Sequence, residues 1–310
     1  MTVSDSFPES WAAIEGLWKF DNTCAKYLGP KSSSNQAPIG IALSNLRLRS
    51  GIIESEIHFG GNPKDIAGHI IFGYNPLTKA YYSAGIGAFT YAYTISVFIP
   101  TQGWRAVGAA GFEDNLSSDK RYSFRVEIAG QRVSLAVNNI RVVQVDLPSP
   151  LSGDQVGLYA WGQIPIDFVQ TRVVTQKPKA FVVMQFGEPY DSVYTEVIKP
   201  VVETAGLQSF RVDDVYRPGI ILQDIIQGIA ESEVIIAEIT PPNPNVFYEL
   251  GYAHAIGKPT ILLADRKNPL PFDIRSYRCI FYDNTIKGKK AVENTLRKHL
   301  ESVLDVSKDM

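Results

Sequence analysis

The chain has 310 residues, enough for two domains of ordinary size, and its composition of 45% hydrophobic, 20% charged and 11% aromatic residues supplies real cores and excludes a disordered scaffold. The formal net charge is -2 and is spread evenly over the two halves, which argues against a nucleic-acid clamp or a polybasic membrane anchor. Cys24 and Cys279 stand far apart with no CxxC or Cys/His spacing, so neither a disulfide framework nor a zinc site is indicated and a reducing cytoplasm fits best. Met1 to Ser10 has no basic n-region or apolar run, so no signal peptide is expected, and no apolar stretch approaches the ~20 residues of a bilayer span.

The first 175 residues read as strands. Ile53, Ser55, Ile57 and Phe59 alternate with Glu54, Glu56 and His58, the period-two pattern of a half-buried strand with one wet face. Tyr122, Phe124, Val126 and Ile128 repeat it. Val133, Leu135 and Val137 then run into Asn138-Asn139 and out through Ile140 to Val145, and Asn accepts the positive φ of a tight turn, which predicts a hairpin. Gly157 to Trp161 and Ile166 to Val174 complete the series, and helical periodicity is nearly absent after residue 16. Residues 1–175 are therefore expected to form an all-β, jelly-roll-type sandwich. Within it, Lys120 to Val174 resembles the concanavalin A-like, laminin-G-like sandwich in its order of strand, Asn-turn hairpin, Pro-containing loop, Gly-Leu-Tyr strand and closing strand. That resemblance implies a glycan or protein ligand. Tyr81-Tyr82 and Tyr91-Ala92-Tyr93 are candidates to stack on a sugar, although packing within a Gly-rich sheet is the favoured role.

Thr175 to Lys179 is the expected linker, and beyond it short apolar strands alternate with amphipathic helices, the pattern of an α/β domain around a mostly parallel, buried sheet. Ala180 to Gln185 is the first strand, Tyr190 to Ala205 a helix, Phe210 to Val212 a strand and Ile220 to Ser232 a helix. Val234 to Ile239 is a strand, Val246 to Ile256 a helix, Thr260 to Ala264 a strand and Ala291 to Leu304 a closing helix. Gly257 suits the position just past a helix end, and Pro259 cannot continue that helix. The fold class expected for residues 176–310 is a Rossmann-like, flavodoxin-like domain.

In such sheets ligands gather beyond the carboxyl ends of the strands. Three loops lie there: Met184 to Gly187, the segment with Asp213, Asp214 and Arg217 before the helix that holds Asp224, and Thr240 to Asn245. Asn245 is expected to cap the next helix, which places Glu249 about one turn inside, where the helix dipole favours an ionised carboxylate. Tyr248 flanks it. His254, five residues on and roughly 140° around the helix, is expected to pack or face solvent rather than pair with Glu249.

The run Gln223-Asp224-Ile225, Ser232 to Pro241 and Val246-Phe247-Tyr248-Glu249-Leu250-Gly251, with Ala253 and Gly257-Lys258-Pro259, resembles the nucleoside 2-deoxyribosyltransferase superfamily, including the 2′-deoxynucleoside 5′-phosphate N-hydrolases, and more distantly the TIR domains that cleave NAD. The resemblance implies that Glu249 is the catalytic carboxylate at an anomeric carbon and Asp224 its helper in holding sugar or moving a proton. It places Gln185, Phe186 and Gly187 along a nucleotide site, makes Arg217 a phosphate contact, and sets Glu238 either against a ribose hydroxyl or to organise its loop. Asn245 and Tyr248 complete the expected substrate-binding set. The sequence departs from those hydrolases in its longer Pro242-Asn243-Pro244-Asn245 turn and in lacking a Gly-rich phosphate loop after the first strand. The function expected is an N-glycosidase acting on NAD or a (deoxy)nucleoside phosphate, in a bacterial stress or antiphage effector, with the sandwich as sensor or assembly module. The alternative is a non-catalytic nucleotide-binding or signalling module. A glycan-active protein led by the sandwich is a third reading. No cofactor or metal is called for, and the resemblance implies a homo-oligomer.

Overall fold

The computed structural model describes residues 4–30, 38–118, 120–212, 221–270, 274 and 277–309. Its first part is all strand: β1 (Ser4–Ser6), β2 (Trp11–Glu15), β3 (Leu17–Phe20), β4 (Cys24–Gly29), β5 (Ile39–Arg47), β6 (Gly51–Phe59), β7 (Ala67–Tyr74), β8 (Tyr81–Gly87), β9 (Tyr91–Ile99), β10 (Gly103–Phe112), β11 (Arg121–Ala129), β12 (Arg132–Val137), β13 (Ile140–Asp146), β14 (Gln155–Trp161) and β15 (Ile166–Thr175). Two antiparallel sheets result. One runs β13-β12-β11-β6-β15-β4-β3 with β1 beside β15, the other β10-β9-β8-β7-β14-β5-β2. Between them Ile53, Ile57, Phe124, Leu135 and Phe168 meet Ile70, Phe72, Ile95 and Leu158 in one buried core. The alternation along β6 is realised as expected, with Ile53, Ser55, Ile57 and Phe59 buried. Glu54, on the opposite face, is held by Arg125 at 2.9 Å and Arg172 at 2.7 Å. Asn138 and Asn139 form the expected hairpin turn at φ 49° and 64°.

The second part is a parallel sheet of β16 (Lys179–Val183), β17 (Gln208–Arg211), β18 (Val234–Glu238), β19 (Thr260–Asp265) and β20 (Cys279–Tyr282), in the spatial order β17-β16-β18-β19-β20. Its helices are α1 (Tyr190–Val193), α2 (Lys199–Thr204), α3 (Ile221–Glu231), α4 (Pro244–Ala255) and α5 (Ile286–Asp309), and a π turn at Tyr194–Ile198 joins α1 to α2 in one continuous rod. Alternate residues of β16 point to opposite faces, as strand geometry requires. Ala180, Val182 and Met184 pack with Val201, Val202, Leu296 and Leu300 of α2 and α5, while Phe181 and Val183 pack with Ile229, Val246 and Leu250 of α3 and α4. Both faces of the sheet are therefore covered. No helix of the described residues is long and apolar enough to cross a membrane.

Candidate functional site

The mouth of the parallel sheet, where β16 and β18 end, gathers most of the expected residues. Met184 is buried, Gln185 half-buried and Phe186 51% exposed, and Gly187 turns the chain at φ +90°. The sequence reading missed Arg211, a buried cation at this edge. Its guanidinium lies 5.2 Å from the Phe186 ring centre and 4.5 Å from that of Tyr194, and its NH1 donates to Asp191 Oδ1 at 2.8 Å. A basic residue between the apolar Phe210 and Val212 of the short strand expected there was the available signal.

Glu238 ends β18 and is 1% exposed. Its carboxylate accepts from Thr240 Oγ1 at 2.5 Å, from the Thr240 N–H at 3.1 Å and from the Tyr282 hydroxyl at 3.1 Å, and Thr240 Oγ1 in turn accepts from the Asp265 N–H at 2.8 Å. Burial lifts its pKa to about 7 against the pull of those donors. Its oxygens are turned into these bonds, which tie the end of β18 to the loop that leads into α4.

The cap of α4 is Asn243, whose Oδ1 accepts from the Asn245 N–H at 2.9 Å; Asn245 is exposed within the first turn. The expectation of an Asn245 cap is corrected, and Pro244 explains why: proline suits the first helical position because its missing N–H has no partner there anyway. Tyr248 is 59% exposed. Glu249 is half-buried, and burial raises its pKa to about 7, so the expectation of a carboxylate held ionised by the dipole is also corrected. Asp224 lies in the first turn of α3, and among the described residues no hydrogen bond joins it to Glu249. Arg217, with Asp213 and Asp214, lies outside the described residues. His254 bonds through Nε2 to Thr260 Oγ1 at 3.0 Å and stacks on Tyr277 at 4.6 Å.

A cleft of about 840 Å³ opens elsewhere, at the opposite, amino-terminal edge of the parallel sheet, between Arg132, Ser134 and Gln144 of the sandwich and Lys179, Gln208 and Glu231. Two aromatic arrangements occupy the sandwich itself. On the outer face of the seven-stranded sheet, Tyr81 lies 5.3 Å from Phe98 and 5.5 Å from Trp104, and Trp104 lies 4.8 Å from Tyr159, four strands away. Such a reach needs the sheet to curl, and the rings fill the trough it makes. His69 lies beneath them, 1% exposed, bonded to Ser83, Gly87 and Thr94, and burial lowers its pKa to about 4. Tyr81 and Tyr82 are 3% and 6% exposed, so they pack rather than offer a stacking surface; Tyr91 is 39% exposed.

The second arrangement is a row that the sequence reading passed over. Trp11 of β2 lies 5.9 Å from Phe20 of β3 with only 4° between the rings, and Phe20 lies 6.0 Å from Trp18 with 6° between them. Phe20 is 37% exposed, and both indoles are half-buried against the edge of the sandwich core. Trp18 is anchored by its Nε1, which donates to the Glu15 carbonyl at 2.8 Å, and by Tyr27 and Phe168. Beside the row is a depression of 20 Å³ lined by Phe7, Trp11, Asn22, Thr23 and Gln170. Asp21 fixes that loop by accepting from the Thr23 and Cys24 N–H groups, which hold its pKa below the usual carboxylate range.

No protein-family model and no curated protein matches the chain. Among solved structures it is similar to a carbohydrate-binding module, CBM66, from Bacillus subtilis, at 19% identity and a TM-score of 0.44 over 54% of this chain and 95% of that one. It is similar to the β-glucanase of Bacillus licheniformis at 11% identity and a TM-score of 0.39, over 54% and 92%. It is also similar to a Bacillus subtilis protein of unknown function with a galectin-like fold, at 9% identity and a TM-score of 0.41, over 54% and 89%. The sandwich thus resembles the jelly-roll folds of these proteins. The expectation of a nucleotide N-glycosidase, with its NAD, TIR-like and defence associations, is corrected: the structural neighbours are carbohydrate-binding modules, glucanases and galectin-like folds, and nothing among them points to a nucleotide N-glycosidase.

Proposed function

We propose that this is a glycan-binding protein, with residues 1–175 as the binding sandwich and residues 176–310 as a flavodoxin-like α/β domain. The observation that carries the reading is the parallel row of Trp11, Phe20 and Trp18 at the sandwich surface. The stacked, partly exposed rings make an apolar ridge against which the C–H faces of sugar rings can pack, while Asn22, Thr23 and Gln170 beside it offer hydroxyl-binding groups. The trough under Trp104 is a poorer seat, since its own rings fill it. For the α/β domain, the order β17-β16-β18-β19-β20 is second-first-third-fourth-fifth within the domain, the flavodoxin-like order, whose switch point lies between its first and third strands. Gln185, Phe186, Gly187, Tyr248 and Glu249 stand around that switch point, with Asp224 on the neighbouring helix, and we assign them a polar ligand site.

The test is calorimetry of the full chain against a panel of neutral polysaccharides and their oligosaccharides. Binding to at least one class is expected, weakened about tenfold, or 1.4 kcal/mol, by Trp11→Ala and by Phe20→Ala without loss of the folded state. Trp11 and Trp18 both pack at the core edge, but Trp18 is not the residue to remove, because Tyr27, Phe168 and the Glu15 carbonyl all hold it in place. Absence of binding across the panel, or binding indifferent to both variants, overturns the reading.

A further inference from the structure

The tip of the β11–β12 hairpin enters the α/β part and ends two of its helices. Gln131, 2% exposed, donates its backbone N–H to the Ala230 carbonyl of α3 at 3.1 Å, and its Nε2 donates to the Ile256 carbonyl after α4 at 3.1 Å and to the Leu147 carbonyl at 2.9 Å. The last carbonyls of a helix have no partner of their own, so one sandwich residue caps both helices. Gly130 lets the tip come this close. It sits at φ +56°, and a Cβ there would lie 2.6 Å from the Ser232 carbonyl oxygen. From the other side the buried Lys258 ammonium donates to the Ala230 and Ser232 carbonyls at 2.7 and 2.6 Å. The tip is braced by its neighbours: Arg132 grips Asp146 through Nε at 2.8 Å and NH2 at 3.0 Å, and the Leu147 N–H donates to the Gln131 carbonyl at 2.8 Å.

These bonds lie at the C-terminal ends of α3 and α4. Asp224 lies in the first turn of α3 and Glu249 at the middle of α4, and a helix moves largely as a rigid rod, so the spacing fixed at the C-terminal ends is read further along both helices. We propose that the β11–β12 hairpin is the element through which the sandwich sets the spacing of α3 and α4, and with it the shape of the sheet mouth where Asp224 and Glu249 stand. The proposal does not depend on what either part binds. It makes Gln131 a positioning residue and assigns the inter-part contact a regulatory use: a change in the sandwich that shifts the hairpin reaches the mouth through both helices.

Hydrogen exchange on the full chain tests it with Gln131→Met, which keeps the volume without the donors, Gln131→Glu, which faces two carbonyls with acceptors, and Gly130→Ala, which displaces the tip without touching Gln131. Exchange of the amides of residues 225–228 and 247–250 is expected to rise about tenfold in each variant, while those of β7 and β8 stay as in the wild type. The titration midpoint of Glu249, followed by carboxyl 13C resonance, is expected to move with them. If Gln131→Glu does not fold, Gln131→Met and Gly130→Ala give the same reading. Exchange changes confined to residues 229–231 and 253–256, with an unmoved Glu249 midpoint, reduce the hairpin to a local cap and overturn the proposal.

Discussion

Two influences meet on the Glu249 carboxyl. With Asn243 as the cap it stands in the second turn of α4, past the first turn in which the dipole is worth about 0.3–1 kcal/mol, so the favourable pull on its charge is weak, and burial opposes that charge. Each pKa unit is worth about 1.4 kcal/mol, so a rise from 4.5 to about 7 means that desolvation wins. Spacing in a sequence reports the dipole and is silent on the burial, which is why an ionised carboxylate was expected there. A group whose pKa is higher in the folded chain contributes stability that is full below its unfolded value and is lost as the pH rises through the folded one. The window for Glu249 therefore runs from about pH 4.5 to 7. Glu249→Gln keeps the shape and removes the titration. The variant is expected to melt with the wild type near pH 4.5 and about 2–4 °C above it at pH 8, corresponding to about 1 kcal/mol once solvent screening is allowed for. Glu238 titrates in the same window but is present in both proteins, so the difference between their melting curves isolates Glu249. Parallel curves from pH 4.5 to 8 contradict this account.

At the scale of elements, α4 shows how a cap is misread by two residues. Asn243 and Asn245 flank Pro244, and both are good N-cap types. Proline at the first helical position selects Asn243, whose Oδ1 is bonded to the Asn245 N–H. Asn243→Ala is expected to cost about 1 kcal/mol in chemical denaturation of the α/β part, whereas Asn245→Ala is expected to cost a few tenths at most; the reverse order contradicts the assignment. The same distinction separates what was legible from what was not. β6 and β11 have one wet face, so their side chains alternate and the strands can be read from period two. Every residue of β7 and β8 is buried, because the curled outer face is covered by Tyr81, Trp104 and Tyr159, and a strand buried on both sides leaves no alternation to find. The row of Trp11, Phe20 and Trp18 was hidden for a different reason. Its rings come from two strands in different sheets, and only tertiary packing lays them parallel. The helices and strands of the α/β part were legible to within a few residues, apart from β20, whose four residues are too short to carry a period, and the two ends of α5, each five residues beyond the expected bounds.

For the whole molecule, the question is how tightly the sandwich and the α/β part behave as one body. The contact between them that the hydrogen bonds define is polar. Besides Gln131 and its neighbours, Arg49 NH2 donates to the Leu304 carbonyl of α5 at 2.7 Å, so the bridges reach α3, α4 and α5 from two separate points of the sandwich. Each buried bridge is worth about 1–3 kcal/mol when one partner is removed and the other is left unpaired. Sets of that size suffice to couple two cores in a single transition, yet they are small beside the cores themselves, so they can be removed without unfolding either. Because Arg49 and Gln131 grip different helices of a shared body, each can still hold when the other is cut, and the loss of both exceeds the sum of the separate losses. Wild type and each single variant, Arg49→Ala or Gln131→Met, are therefore expected to give one calorimetric transition, and the double variant two. The lower of the two is expected to belong to the α/β part and to track the pH window of Glu249, since only that part carries its titration. A double variant that melts in one transition at the midpoint additive in the single changes shows that coupling runs through the apolar surfaces beneath the bridges instead.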